Sequence, residues 1–169
     1  MKNKALFLDR DGIFNHLVEW GGGLCAPRAW PEVIFYSGLD GLPLLKRKGY
    51  RLILVTNQPD IERDIIEKRF VDELNALYQK RFQLDAVYLC PFSSDEHPMK
   101  KPNPGMILQA QKDFDLDLSK SFFLGDTEKD TIAAERAKVR SILWDRPYNR
   151  QIPSDYRIHN IEEIDTILD

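Results

Sequence analysis

The chain has 169 residues, 43% of them hydrophobic and 30% charged, and its 24 basic and 27 acidic side chains leave a formal net charge of −3. That balance gives no bulk electrostatic reason to bind nucleic acid or an anionic membrane, and the length suits one domain with a core of its own. Two cysteines, Cys25 and Cys90, are too few for a disulfide framework and fit a reducing, cytoplasmic setting.

After Lys2 and Lys4 only Ala5–Leu8 are apolar before Asp9, too short for the apolar region of a secretion signal. No later stretch approaches the roughly 20 apolar residues of a membrane span. In chain order, short apolar runs follow at Leu52–Val55, Ala86–Leu89, Phe122–Leu124 and Ser141–Trp144, with Tyr156–Ile158 open as a sixth. Runs without polar alternation suit strands buried on both faces. Helical spacing fills the gaps: Leu39–Lys48 closed by Gly49, Asp64–Phe82 with Ile66, Phe70, Leu74 and Leu77 on one stripe, Met106–Phe114, Glu128–Lys138 and Ile161–Leu168. Strand–helix alternation predicts an α/β domain around a parallel sheet with right-handed crossovers. Two segments break the pattern, about 12–37 and about 91–104, and loops of that length in a small domain are functional or mobile.

Four of the apolar runs end in chemically pointed residues: Asp9-Arg10-Asp11, Thr56-Asn57, the loop carrying Lys100-Lys101, and Gly125-Asp126 with Asp130 four residues on. Singly, each reads as turn or capping chemistry; Thr127 with Asp130 has capping-box spacing. Jointly they lie on one rim, beyond the carboxyl ends of the strands, where open parallel sheets bind ligands. Asp9 and Asp126 can supply the carboxylates that magnesium takes alongside substrate phosphate and water. Asp9 is also a competent nucleophile toward phosphorus. Lys101, the Thr56 hydroxyl and backbone N–H groups can meet the charge on the transferring phosphoryl group. Asp11 can protonate the leaving oxygen and then take a proton from water. Gly12 lets the backbone leave the strand abruptly.

LFLDRDG, LVTNQ, KP and GDTEKD resemble, in order and spacing from about Leu6 to Trp144, the four motifs of the haloacid dehalogenase (HAD) superfamily in its phosphatase form. DRDG, VTNQ and KPNPGM resemble the small-domain branch (subfamily IIIA) that includes heptose 1,7-bisphosphate and histidinol-phosphate phosphatases. The resemblance implies a single Rossmann-like domain over residues 1–169, strand order 5-4-1-2-3, helices on both faces and no large cap. It implies a magnesium-dependent phosphomonoesterase that acts through an aspartyl-phosphate on a small phosphorylated metabolite. By resemblance Asp9 is nucleophile and metal ligand, Asp11 general acid/base and, through its carbonyl, metal ligand, and Asp126 the third ligand. Thr56, Asn57 and Lys101 hold the phosphoryl group, and Asp130 orients Lys101 or a metal-bound water.

Lys100 stands where that branch has a substrate-recognising arginine and Thr127 where it often has lysine; PDIERD replaces a glycine-containing stretch after VTNQ, and Lys138 replaces a glycine. Lys100, Thr127, Asn57 and Arg28 are therefore the expected substrate-facing residues, with Arg28 either binding a second anionic group or packed in its loop. Zinc is not expected, because Cys90 and His97 make only two of the four ligands a structural site needs. Gly21–Gly23 reads as a hinge of the segment matching the HAD flap rather than a phosphate cradle. His16 and His159 read as surface residues, and Trp20 and Trp30 share the flap with Arg28. The expected partner is a small phosphate ester, with no nucleic acid or membrane, and the expected state is a monomer or weak homo-oligomer. Two further readings are a non-catalytic HAD-fold binding protein and a nucleic-acid 3′-phosphatase; the acidic balance speaks against the latter.

Overall fold

The first apolar run sorts its side chains to two opposite cores. In the computed structural model, which describes residues 3–168, β1 (Lys4–Leu8) is central. Its Leu6 and Leu8 join one hydrophobic cluster and its Ala5 and Phe7 the other. β4 (Tyr50–Asn57) repeats the division with Leu52 and Leu54 against Ile53 and Val55, and β6 (Phe122–Gly125) with Phe122 and Leu124 against Phe123. Side chains alternate across a strand, so an unbroken apolar run is what a sheet covered on both faces requires.

β5 (Ala86–Cys90), β7 (Arg140–Trp144) and β8 (Tyr156–Ile158) complete a six-stranded sheet in the order β5-β4-β1-β6-β7-β8, and every pairing in it is parallel. This is the expected 5-4-1-2-3 order with the open sixth run added at the edge. Helices cover both faces. One core takes α1 (Lys68–Arg81) through Phe70, Val71, Leu74 and Tyr78, together with the turns of Leu39–Lys48 and the C-terminal Ile161 and Ile164. The other takes α2 (Gly105–Phe114) and α3 (Glu128–Arg136) through Met106, Ile107, Ala110, Ala133 and Ala134.

Several boundaries differ from expectation, each for a local reason. Leu39–Lys48 has the expected ends, but Pro43 lies inside it and the segment runs as a 3₁₀ helix. A proline there removes an N–H and clashes with the carbonyl an α-turn would place behind it. α1 starts at Lys68 rather than Asp64, because Asp64 has φ +54 and the chain before Lys68 forms turns. Within α1 Tyr78 is buried and Leu77 is exposed, shifting the inward stripe by one residue. α3 stops at Arg136, with Lys138 in the left-handed region at φ +59. The last stretch splits into a 3₁₀ turn, Ile161–Glu163, and α4 (Ile164–Ile167).

The segment about 12–37 is not wholly irregular. It carries an antiparallel hairpin, β2 (Val18–Trp20) and β3 (Gly23–Cys25). Gly21 and Gly22 have φ of +57 and +80, which a two-residue type I′ turn requires at both positions. The expected hinge glycines are therefore a tight hairpin turn. The loop about 91–104 has no regular element.

Candidate active site

Parallel register brings the strand ends level. Leu8 of β1 pairs with Leu54 of β4 on one side and Leu124 of β6 on the other, and the Asp9 N–H continues the ladder to the Leu124 carbonyl at 3.0 Å. Asp9 and Asp126, 117 positions apart in the chain, thus leave adjacent strands within one residue of the same height. Carboxylate oxygens of Asp9, Asp126 and Asp130 lie within 4.8 Å of one another.

Two close approaches make room for this cluster. A Cβ on Gly12 would fall 2.0 Å from Asp126 Oδ2, and Gly12 has φ +88. A Cβ on Gly125 would fall 2.4 Å from Asp130 Cβ. Both glycines are demanded by the acid side chains beside them.

Lys101 faces the cluster from the loop after β5. Its Nζ lies 2.7 Å from Asp9 Oδ1 and 2.7 Å from Asp130 Oδ1, and donates to the Val55 carbonyl at 3.1 Å. Asn57 holds that loop in place. Its Nδ2 donates to the Lys101 carbonyl at 2.9 Å, and its Oδ1 accepts from the Lys101 N–H at 3.0 Å. The Asn57 amide is therefore engaged with backbone, a positioning task, while Asn57 itself lines the cleft. The second oxygen of Asp130 accepts from the N–H groups of Asp126 and Thr127 and from the Thr127 hydroxyl. Asp130 thus ties Lys101 to the start of α3, and Thr127, which lines the cleft, is part of that cap.

Asp11 points to a separate set of donors. Its carboxylate accepts from Arg10 Nε at 3.2 Å, Asn15 Nδ2 at 3.0 Å and Gln58 Nε2 at 2.7 Å. Gln58 also donates to the Thr56 hydroxyl at 2.8 Å, so Thr56 is linked to Asp11 through one amide. Arg10 is fully buried and reaches Asn75 of α1.

The charges perturb one another. Burial, reinforced by Asp130 and opposed by Lys101, pushes the Asp9 carboxyl up to about 7. Burial and then Asp130 and Asp9 push Asp126 well above the usual carboxylate range. Burial alone would lower Lys101, but the flanking Asp130 and Asp9 outweigh it and hold the ammonium charged. Asp126 Oδ2 accepts from the Tyr148 hydroxyl at 2.5 Å, while its Oδ1 is buried with no hydrogen-bond partner among the described residues. A buried carboxylate oxygen left unpaired is expensive unless something else satisfies it. An oxygen-rich donor set of this kind suits a hard divalent cation, so Asp9 and Asp126 fit magnesium. Among the described residues this is the one group of three or more metal-capable side chains that comes together. Cys90 is buried elsewhere and His97 stacks on Phe92 at 4.0 Å.

Asp9, Asp11, Lys101 and Asp130 line a cleft of about 430 Å³, while Asp126 and Thr56 are buried behind it. Lys100 lines it, with Nζ bound to the Ser93 carbonyl at 2.5 Å and to Asp95 at 2.7 Å. Arg28 lines it from the flap and pairs with Asp60 at 3.2 Å. His16 stacks on Tyr36 at 3.8 Å and His159 is exposed. Sequence reading missed Arg10, Asn15, Gln58, Tyr148 and Asn149. Asn149 donates 2.8 Å bonds to the carbonyls of Asp126 and Trp144. The polar stretch DRPYN directly after the fifth run was the available signal, since it ends a strand on the same rim.

The haloacid dehalogenase-like hydrolase family model matches residues 31–144. This chain belongs to that family. It is 36% identical, over 83% of its length and 82% of the relative's, to a D-glycero-beta-D-manno-heptose-1,7-bisphosphate 7-phosphatase of Helicobacter pylori. It is 38% identical, over 85% and 80%, to a D-glycero-alpha-D-manno-heptose-1,7-bisphosphate 7-phosphatase of Burkholderia mallei. The HAD-like chain also shares its fold, at a TM-score of 0.82, 22% identity and 97% coverage of both chains, with the D,D-heptose 1,7-bisphosphate phosphatase of B. bronchiseptica, a structure complexed with magnesium and phosphate. The chain is a HAD-like phosphatase. No helix of the described residues is long and apolar enough to cross a membrane.

Proposed function

We propose that this phosphatase hydrolyses a small phosphorylated sugar through a phosphoryl group carried transiently on Asp9. One observation carries the reading: the unpartnered Asp126 Oδ1 beside Asp9, with the Lys101 ammonium 2.7 Å from Asp9. The identity to heptose bisphosphate phosphatases supports a polyol phosphate as the substrate class.

A magnesium ion held by Asp9 and Asp126 would offset the phosphate charge and let an anionic nucleophile approach. An Asp9 oxygen attacks phosphorus, and the ester oxygen leaves with a proton from Asp11. Lys101, fixed by Asp130, balances charge on the transferring phosphoryl oxygens. Asp11, now a carboxylate, takes a proton from the water that attacks the Asp9 phosphate, and inorganic phosphate departs. Arg10, Asn15 and Gln58 keep Asp11 in place through both halves.

The test is turnover of p-nitrophenyl phosphate in magnesium buffer. Wild type should hydrolyse it and Asp9→Asn should not; a variant that retains activity would remove Asp9 from the nucleophile role.

A further inference from the structure

Beyond the reacting centre the cleft carries four cations, Arg28, Arg63, Lys100 and Lys129, against two carboxylates, Asp60 and Asp95. The pairing is uneven. Asp60 alone engages both arginines: its Oδ2 accepts from Arg28 Nε and Nη2, each at 3.2 Å, and its Oδ1 accepts from Arg63 Nη1 at 3.3 Å. Asp95 takes Lys100. Lys129 is exposed and makes no ion pair among the described residues, and its charge also acts on Asp95.

Arg28 is held from two further sides. Its guanidinium lies 5.1 Å from the Trp20 ring, and its backbone N–H donates to Glu32 at 2.7 Å. The arginine therefore presents a fixed group to the cleft, and Asp60, its side chain 17% exposed, occupies that group before any ligand arrives.

A sugar hydroxyl can bond to this carboxylate–guanidinium pair without disturbing its charge balance. A second phosphate disturbs it. To reach the arginines it must lie beside the Asp60 carboxylate, whose charge offsets part of the attraction that Arg28 and Arg63 would otherwise exert. Discrimination by a repulsive group of this kind is a common route to specificity.

We propose that Asp60 is the specificity-determining residue of the cleft: by occupying Arg28 and Arg63 it favours a sugar monophosphate over the corresponding bisphosphate. This rests on the phosphatase reading above and narrows its substrate class.

Competitive inhibition of p-nitrophenyl phosphate hydrolysis by heptose 7-phosphate and by heptose 1,7-bisphosphate tests it in wild type, Asp60→Asn and Arg28→Gln. Asp60→Asn keeps the shape and removes the charge, and should shift the ratio of inhibition constants toward the bisphosphate by about tenfold. Arg28→Gln should shift it the opposite way, because the carboxylate loses a counter-ion. A ratio unchanged in Asp60→Asn, or equal weakening of both ligands, overturns the proposal. Should Asp60→Asn fail to fold, Arg28→Gln decides by the direction of its shift. If wild type hydrolyses no aryl phosphate, the phosphatase reading falls, and calorimetric titration with the same two sugars still reads the ratio.

Discussion

The Asp9–Asp126 pair sits in a condition that pH and magnesium should both relieve. Folding raises the Asp9 carboxyl from 3.8 to about 7 and moves Asp126 the same way, so the metal-free folded state holds more protons than the unfolded chain across that interval. With folded values above unfolded ones, this contribution to stability is fully present below about pH 4 and is lost as pH rises toward 7. Magnesium held by Asp9 and Asp126 would displace those protons. Its stabilising effect should therefore be larger at pH 8 than at pH 5.5, measured as the magnesium-induced rise in Tm at each pH. An equal rise at both would mean that Asp9 and Asp126 are not the ligands. Gly12 answers to the same pair. Gly12→Ala places a methyl 2.0 Å from Asp126 Oδ2 at a φ of +88, and should abolish the magnesium-induced rise in Tm while α-helical circular dichroism persists.

At the scale of elements, β1 does two jobs: its apolar half builds both cores and its end delivers Asp9, Arg10 and Asp11. Arg10 belongs to both jobs, since it is wholly buried yet pairs with Asp11 at 3.0 Å and reaches Asn75 in α1. Arg10→Ala leaves the Asp11 charge without its guanidinium and should destabilise the fold by about 3–5 kcal/mol in urea unfolding, with a loss of turnover beyond that of a surface substitution. Asn57→Ala frees the Lys101 loop from β4. Since the Asn57 amide bonds the Lys101 backbone on both its nitrogen and its oxygen, it should lower kcat more than it raises KM.

The strand ends were legible because unbroken apolar runs mark strands covered on both faces, and polar residues directly after them are conspicuous. Asp9, Asp126, Lys101 and Asp130 were found that way. Arg10 and Gln58 were not, because a side chain whose partner is 47 or 65 positions away leaves no local pattern. The type of Leu39–Lys48 and the start of α1 were set by single residues, Pro43 and Asp64, that override an otherwise helical spacing.

At the scale of the whole molecule, the sheet order makes the chemistry possible. Only with β1 between β4 and β6 do Asp9, Asn57 and Thr127, at the ends of three neighbouring strands, line one cleft, and the loop after β5 closes it with Lys101. The hairpin β2–β3 and the turn bearing Asp60 then border the entrance. A substitution that weakens the central strand should cost stability and activity together: Phe7→Ala, removing a ring stacked 6.3 Å from Phe123, should cost about 3–5 kcal/mol, read by thermal melting alongside turnover. The decisive experiment is to slow the second half-reaction and look for the covalent species. Asp11→Asn, mixed with substrate and magnesium, acid-quenched within seconds and digested, should yield a peptide spanning Asp9 that is heavier by one phosphoryl group, and Asp9→Asn should yield none. A phosphoryl group on another residue, or turnover with no covalent species at any quench time, would contradict the assignment.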